Sequence, residues 1–144
     1  MSTNAKRSKR LEDININVKL KISALWIALM FCYTYADILG FYSPGNLEEL
    51  LTGEIAGIQM TQMLLLGSAV LMIVPCIMIF LSLVLKARAN RRVNIISGFV
   101  YLLILVSTFL TGRNPVYYLL YANVKAVLLV LIIWLAWMWP GSEV

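Results

Sequence analysis

Long apolar runs, separated by short polar or turn-forming stretches, set the layout of the chain. They cover about residues 22–41, 55–85, 93–111 and 116–139. A helix rises about 1.5 Å per residue, so roughly 20 apolar residues cross the hydrocarbon core of a bilayer. Each run predicts a spanning helix. The second is longer than a bilayer needs, so its start should tilt or project outward, and Pro75 should kink it. Tyr42-Ser43-Pro44-Gly45, the basic stretch 86–92, the stretch 112–115 and Pro140-Gly141 interrupt or close the runs. Asn46 can cap a short helix that carries Glu48 and Glu49 in its first turn. Short connections make consecutive helices antiparallel neighbours. The expected fold is all-α: an integral membrane, up-and-down four-helix bundle over residues 20–140, with a polar tail (1–19) before it and a short tail (141–144) after it.

Composition agrees. Of 144 residues, 61% are hydrophobic and 13% charged, against about 25% charged in soluble domains. The mean hydropathy is +0.84. Histidine is absent, which removes the commonest general base and metal ligand. Cys32 and Cys76 stand alone and read as small hydrophobes. No metal site, cofactor or catalytic set is expected. The methionines of the second run, Met60, Met63, Met72 and Met78, read as adaptable packing. Gly53 and Gly57 form a GxxxG at the mouth of that run, and Gly67-Ser68 and Ser97-Gly98 permit close helix contact.

Charge sets an orientation. Six Lys and Arg residues lie at or before Lys21, four lie in 86–92, and only Arg113 occupies the connection between the third and fourth runs. The positive-inside rule then places both termini and the basic connection in the cytoplasm. Tyr42, Tyr117, Tyr118 and Tyr121 fall at one predicted interface and Trp134, Trp137 and Trp139 at the other, as aromatic belts do. The expected location is a cell (inner) membrane. The expected partners are the bilayer, anionic headgroups at the N-terminal tail (Lys6, Arg7, Lys9, Arg10) and a second copy or another membrane protein. Nucleic acid is not expected.

Candidate chemistry follows from depth. Counting up from the basic boundary, Asp37 lies roughly 24 Å along the first span, and Lys125, Ser107 and Thr108 at nearly the same level, roughly 21 to 23 Å. Trp26, Met30, Tyr33 and Asp37 share one helix face, as do Tyr118, Tyr121 and Lys125. A charged stripe should face the bundle rather than lipid. The candidate cluster is Asp37 and Lys125, with hydroxyls from Tyr33, Tyr121, Ser107 and Thr108, and with Gln62 if tilt lowers it. By this count the inner halves of the second and third spans are almost wholly apolar. Three arrangements stay open: an ion pair that fixes helix register, a hydrated pocket that opens outward and binds a small molecule, and two charges that snorkel independently.

Residues 23–45 carry the sequence Ser-Ala-Leu-Trp, then Met30-Phe31, Tyr33, Tyr35, Asp37, Tyr42 and Pro44-Gly45. With Tyr117-Tyr118 and Ala136-Trp137-Met138-Trp139-Pro140, this pattern resembles the DUF6326 family of small prokaryotic membrane proteins. The resemblance implies four spans and supplies no activity. The leading functional reading is a non-enzymatic accessory or small-molecule-binding membrane protein. The alternative is a small four-span transporter that uses Asp37.

Overall fold

A computed structural model describes residues 14–55, 57–111 and 115–139. The basic cluster Lys6, Arg7, Lys9 and Arg10, Arg113 and the closing Pro140-Gly141 lie outside these residues. The described elements are α1 (Val18–Phe41), α2 (Asn46–Leu51), β1 (Glu54–Ile55), β2 (Ile58–Gln59), α3 (Gln62–Val84), α4 (Ala87–Thr111) and α5 (Val116–Trp137). The fold is all-α apart from one small antiparallel hairpin, in which Glu54 pairs with Gln59 and Ile55 with Ile58. Four helices, α1, α3, α4 and α5, are long and apolar enough to cross a membrane. Around the bundle, α1 packs between α3 and α5, and α5 packs on α4. The α3–α4 contact is the sparsest between long-helix neighbours, although these helices are consecutive in sequence.

Several boundaries differ from the apolar runs. Helix α1 begins at Val18 because the Asn17 side chain accepts from the Lys19 N–H at 2.9 Å, a helix-start cap. Helix α3 begins at Gln62 rather than 55, behind Thr61, whose hydroxyl accepts from the Leu64 N–H. Gly53 and Gly57 both adopt positive φ, 78° and 79°. They shape the hairpin and make no helix-packing GxxxG, because L-residues with a side chain rarely take that conformation. Asn46 opens α2 but does not cap it; its Nδ2 donates to the Gly40 carbonyl at 3.0 Å and so closes the end of α1. Helix α4 begins at Ala87, so the basic stretch is mostly its first turns.

The core is mainly apolar, as in a soluble protein, but the outside is apolar too. The buried set includes Ser23, Ser82, Asn90, Asn94 and Lys125, while Leu66, Phe80, Leu103 and Leu110 are among many large apolar residues left exposed. Apolar patches of that extent need hydrocarbon or another protein over them.

Ser82, Asn90 and Asn94 form a clamp with Trp26 that the apolar reading of these spans missed. Asn94 uses its whole amide: Oδ1 accepts from Trp26 Nε1 at 2.7 Å and, at 3.2 Å, shares the Ser82 hydroxyl with Met78 O, which lies at 2.7 Å from it, and Nδ2 donates to Asn90 O and Oδ1 at 2.9 and 2.6 Å. Asn90 Nδ2 in turn donates to the Ser82 carbonyl at 2.6 Å. The clamp ties α1, α3 and α4 at the basic end and stands where the α3–α4 contact is otherwise thin. Beside it, Lys19 Nζ donates to the carbonyls of Leu83 and Leu85 at 3.2 and 2.8 Å. Those carbonyls lie at the end of α3 with no helical partner, and a cation suits a helix C-terminus.

Pro75 sits inside α3 and is buried. Without an N–H it cannot serve the carbonyl four residues back, which belongs to Leu71. The Tyr101 hydroxyl on α4 donates to that carbonyl instead, and its ring meets Trp26 edge-on with centroids 6.0 Å apart. Between α4 and α5, a Cβ built on Gly98 would stand 2.6 Å from Ile133 Cγ1, so glycine sets how closely these helices approach. Gly67 has open space around its missing Cβ, and its neighbour Ser68 bonds its own helix at Leu64 O.

This packing makes two stability predictions, both measured by reversible unfolding in mixed micelles. Asn94→Leu keeps the branched shape but is bulkier and strips partners from Trp26 Nε1 and Asn90, and should cost at least about 1–3 kcal/mol. Gly98→Ala should cost about 1–3 kcal/mol through overpacking, and Ile133→Ala in the same chain should recover part of that loss.

Candidate ligand-binding site

The acidic end of the bundle is built differently. On α1, Tyr33, Ala36, Asp37 and Gly40 recur at helical spacing and share a face. That face is buried at Tyr33 and Ala36 and becomes exposed at Asp37. On α5, Tyr118 and Lys125 lie two turns apart on the facing side. Helix α2 folds over the end of α1, held by the Asn46–Gly40 hydrogen bond. Together these elements enclose an open pocket of about 370 Å³, lined by α1 from Ala36 to Phe41, by Asn46 and Leu50 of α2, by Met60, and by Tyr117 and Tyr118. Asp37 is the charged residue in that wall.

Lys125 is 1% exposed. Its Nζ lies 4.4 Å from the Tyr33 ring centroid and 4.9 Å from that of Tyr118, a two-ring cation–π seat. Asp37 and Lys125 interact electrostatically, but no N–O approach within 4.0 Å joins them. The ammonium is therefore held by ring faces, and the carboxylate is left on the pocket wall. Tyr118 belongs both to the seat of Lys125 and to that wall.

The remaining candidates fall as follows. Tyr33 contributes its ring and not its hydroxyl, which is buried with no hydrogen-bond partner among the described residues. Tyr121 is half-buried, and Tyr118 takes the place beside Lys125 that its spacing had suggested for Tyr121. Thr108 lies beside Tyr118 and donates to its own helix at Ile104 O. Ser107 is exposed on α4, and Gln62 is exposed at the first position of α3; neither lines the pocket. Cys32 and Cys76 are not bonded to each other. The contributions of Asn46, Leu50 and Met60 were not anticipated. They come from a segment whose place over α1 depends on chain reversal at Gly45 (φ 87°), which no periodicity records.

Replacing Tyr33 separates ring from hydroxyl. Tyr33→Phe should leave stability unchanged or slightly raised, because it removes an unpartnered buried hydroxyl. Tyr33→Leu should cost about 1–2 kcal/mol through loss of a cation–π face. Chemical unfolding of both variants in one detergent checks the pair.

A family model described as "Family of unknown function (DUF6326)" matches residues 10–144. No curated protein and no solved structure matches the chain.

Proposed function

The chain belongs to the DUF6326 family, and we propose that it is a non-enzymatic, multi-pass membrane protein that holds a small organic cation with an apolar body in the pocket between α1, α2 and α5. The observation that supports this most directly is the state of Asp37: a carboxylate on the wall of a largely apolar cavity, with Lys125, its candidate counter-ion among the described residues, seated on two tyrosine rings. Such a wall offers apolar contact for a ligand's body and one charge to orient it, the usual composition of a small-molecule site. Under the positive-inside assignment the pocket opens to the extracytoplasmic side.

Binding of phenyltrimethylammonium and of its neutral isostere tert-butylbenzene, each to protein in nanodiscs against empty discs, tests the proposal. The cation should bind saturably and more tightly than the isostere. Asp37→Asn should lower cation affinity roughly 5-fold, the loss of about 1 kcal/mol from a charge pair at a water-facing mouth. Equal binding of the two probes, or no response to Asp37→Asn, would reject the reading.

The freedom of Asp37 also favours the transporter alternative, since a carboxylate not locked to Lys125 is available to exchange a proton for a cation. That reading adds one requirement: flux of tetraphenylphosphonium from proteoliposomes, driven by a pH gradient and abolished in Asp37→Asn. Binding without flux assigns the protein to the first reading.

A further inference from the structure

The basic end carries a second site, independent of the pocket. Among the described residues every acidic side chain, Asp37, Glu48, Glu49 and Glu54, belongs to the opposite end of the bundle. Lys125 apart, the basic ones gather at the start of α1 and the start of α4. Lys19 is committed to the α3 carbonyls. Arg88 and Arg91 are exposed, with no carboxylate within ion-pair distance among the described residues. Arg91 rests over the Trp137 ring, 5.8 Å from its centroid. The same Trp137 ring is one wall of a groove of about 310 Å³ between α4 and α5, whose other walls are Phe99, Leu102, Val130, Ile133 and Trp134. Among the described residues its lining side chains are all apolar or aromatic. Its floor lies near the close approach of Gly98 and Ile133.

The groove thus has a cationic mouth and a wholly apolar body, joined by one indole. Arg88, Arg91, Phe99 and Leu102 recur at spacings that place them along one side of α4, so the mouth and body run in line with the helix. A guanidinium matches a phosphodiester with paired N–H donors. An indole belongs at headgroup depth, where apolar and wet layers meet. We propose that this groove binds one anionic phospholipid, with its phosphate at Arg91 and Arg88 and an acyl chain laid along Phe99 and Ile133. Charge complementarity selects that occupant over a neutral lipid or a partner helix: an apolar helix fills the groove but leaves the arginines without an anion.

Native mass spectrometry of protein released from liposomes of equimolar phosphatidylglycerol and phosphatidylcholine tests this. One phosphatidylglycerol per chain should be retained in preference to phosphatidylcholine, and excess inorganic phosphate should not displace it. Arg91→Gln should reduce that retention roughly fivefold, the weight of one basic residue at an anionic surface. Trp137→Leu, which keeps the charge and removes the shared wall, should also reduce it. Lys21→Gln, an exposed cation on α1 that lines no part of the groove, should change phosphatidylglycerol retention clearly less than Arg91→Gln does, because it makes no direct guanidinium–phosphate contact. Equal retention of both lipids, wild-type retention in Arg91→Gln, equal loss in Lys21→Gln, or displacement by phosphate would each overturn the proposal.

Discussion

Helix α3 cannot satisfy its own backbone, and much of the bundle is arranged around that fact. In hydrocarbon an orphaned carbonyl has no water to turn to and costs several kcal/mol. Pro75 leaves Leu71 O without its helical donor, and the end of α3 leaves further carbonyls open. Side chains from two other helices supply the donors: Tyr101 and Asn90 from α4, and Lys19 from α1. Ser23 of α1 adds a bond to Ile79 O at 2.9 Å. Helix α3 is nearly featureless in apolar terms, with Pro75, Met78 and Ser82 its buried residues. Its position is set by these polar attachments as much as by packing, because lipid competes with protein for any apolar face.

The same constraint divides the molecule into two ends with different character. At the basic end, Asn94 spends every donor and acceptor it has, and a fully satisfied buried network specifies one arrangement of its helices. At the acidic end the contacts are of another kind. Lys125 is steadied by ring faces, which orient a cation less strictly than a bidentate carboxylate does. Asp37 borders a cavity. One half is fixed by a polar network, and the other places a carboxylate on a cavity wall.

Position along each helix is legible in the sequence, and rotation about it is not. The rise per residue brought Asp37 and Lys125 to one level, and the structure does place them in one region. Which side chain meets which depends on rotation about each helix. Where nearly every face is apolar, as on α3, periodicity carries little information about rotation. Tyr118 therefore replaced Tyr121 beside Lys125, and Ser107 and Gln62 fell outside the pocket. The polar clamp was missed for another reason. The stretch from Lys86 to Arg92 is charged, which suggests a loop, yet it contains no Gly or Pro, and Ala and Arg are strong helix formers. Extending α4 back through it puts Asn90 and Asn94 four residues apart on one face, the signal that was present. Gly53 and Gly57 show the converse: their spacing alone fits a helix contact, but their place at the mouth of the second run argues against one, and their positive φ belongs to a hairpin.

The central claim is that side chains on neighbouring helices replace the backbone donors α3 lacks. A double-mutant cycle between Pro75→Ala and Tyr101→Phe, read as unfolding free energy in mixed micelles, tests it most directly. The Pro75→Ala change restores the N–H that Leu71 O has lost. Tyr101→Phe should therefore cost about 1–3 kcal/mol in the native chain and close to nothing beside Pro75→Ala. An equal cost in both backgrounds would contradict the account.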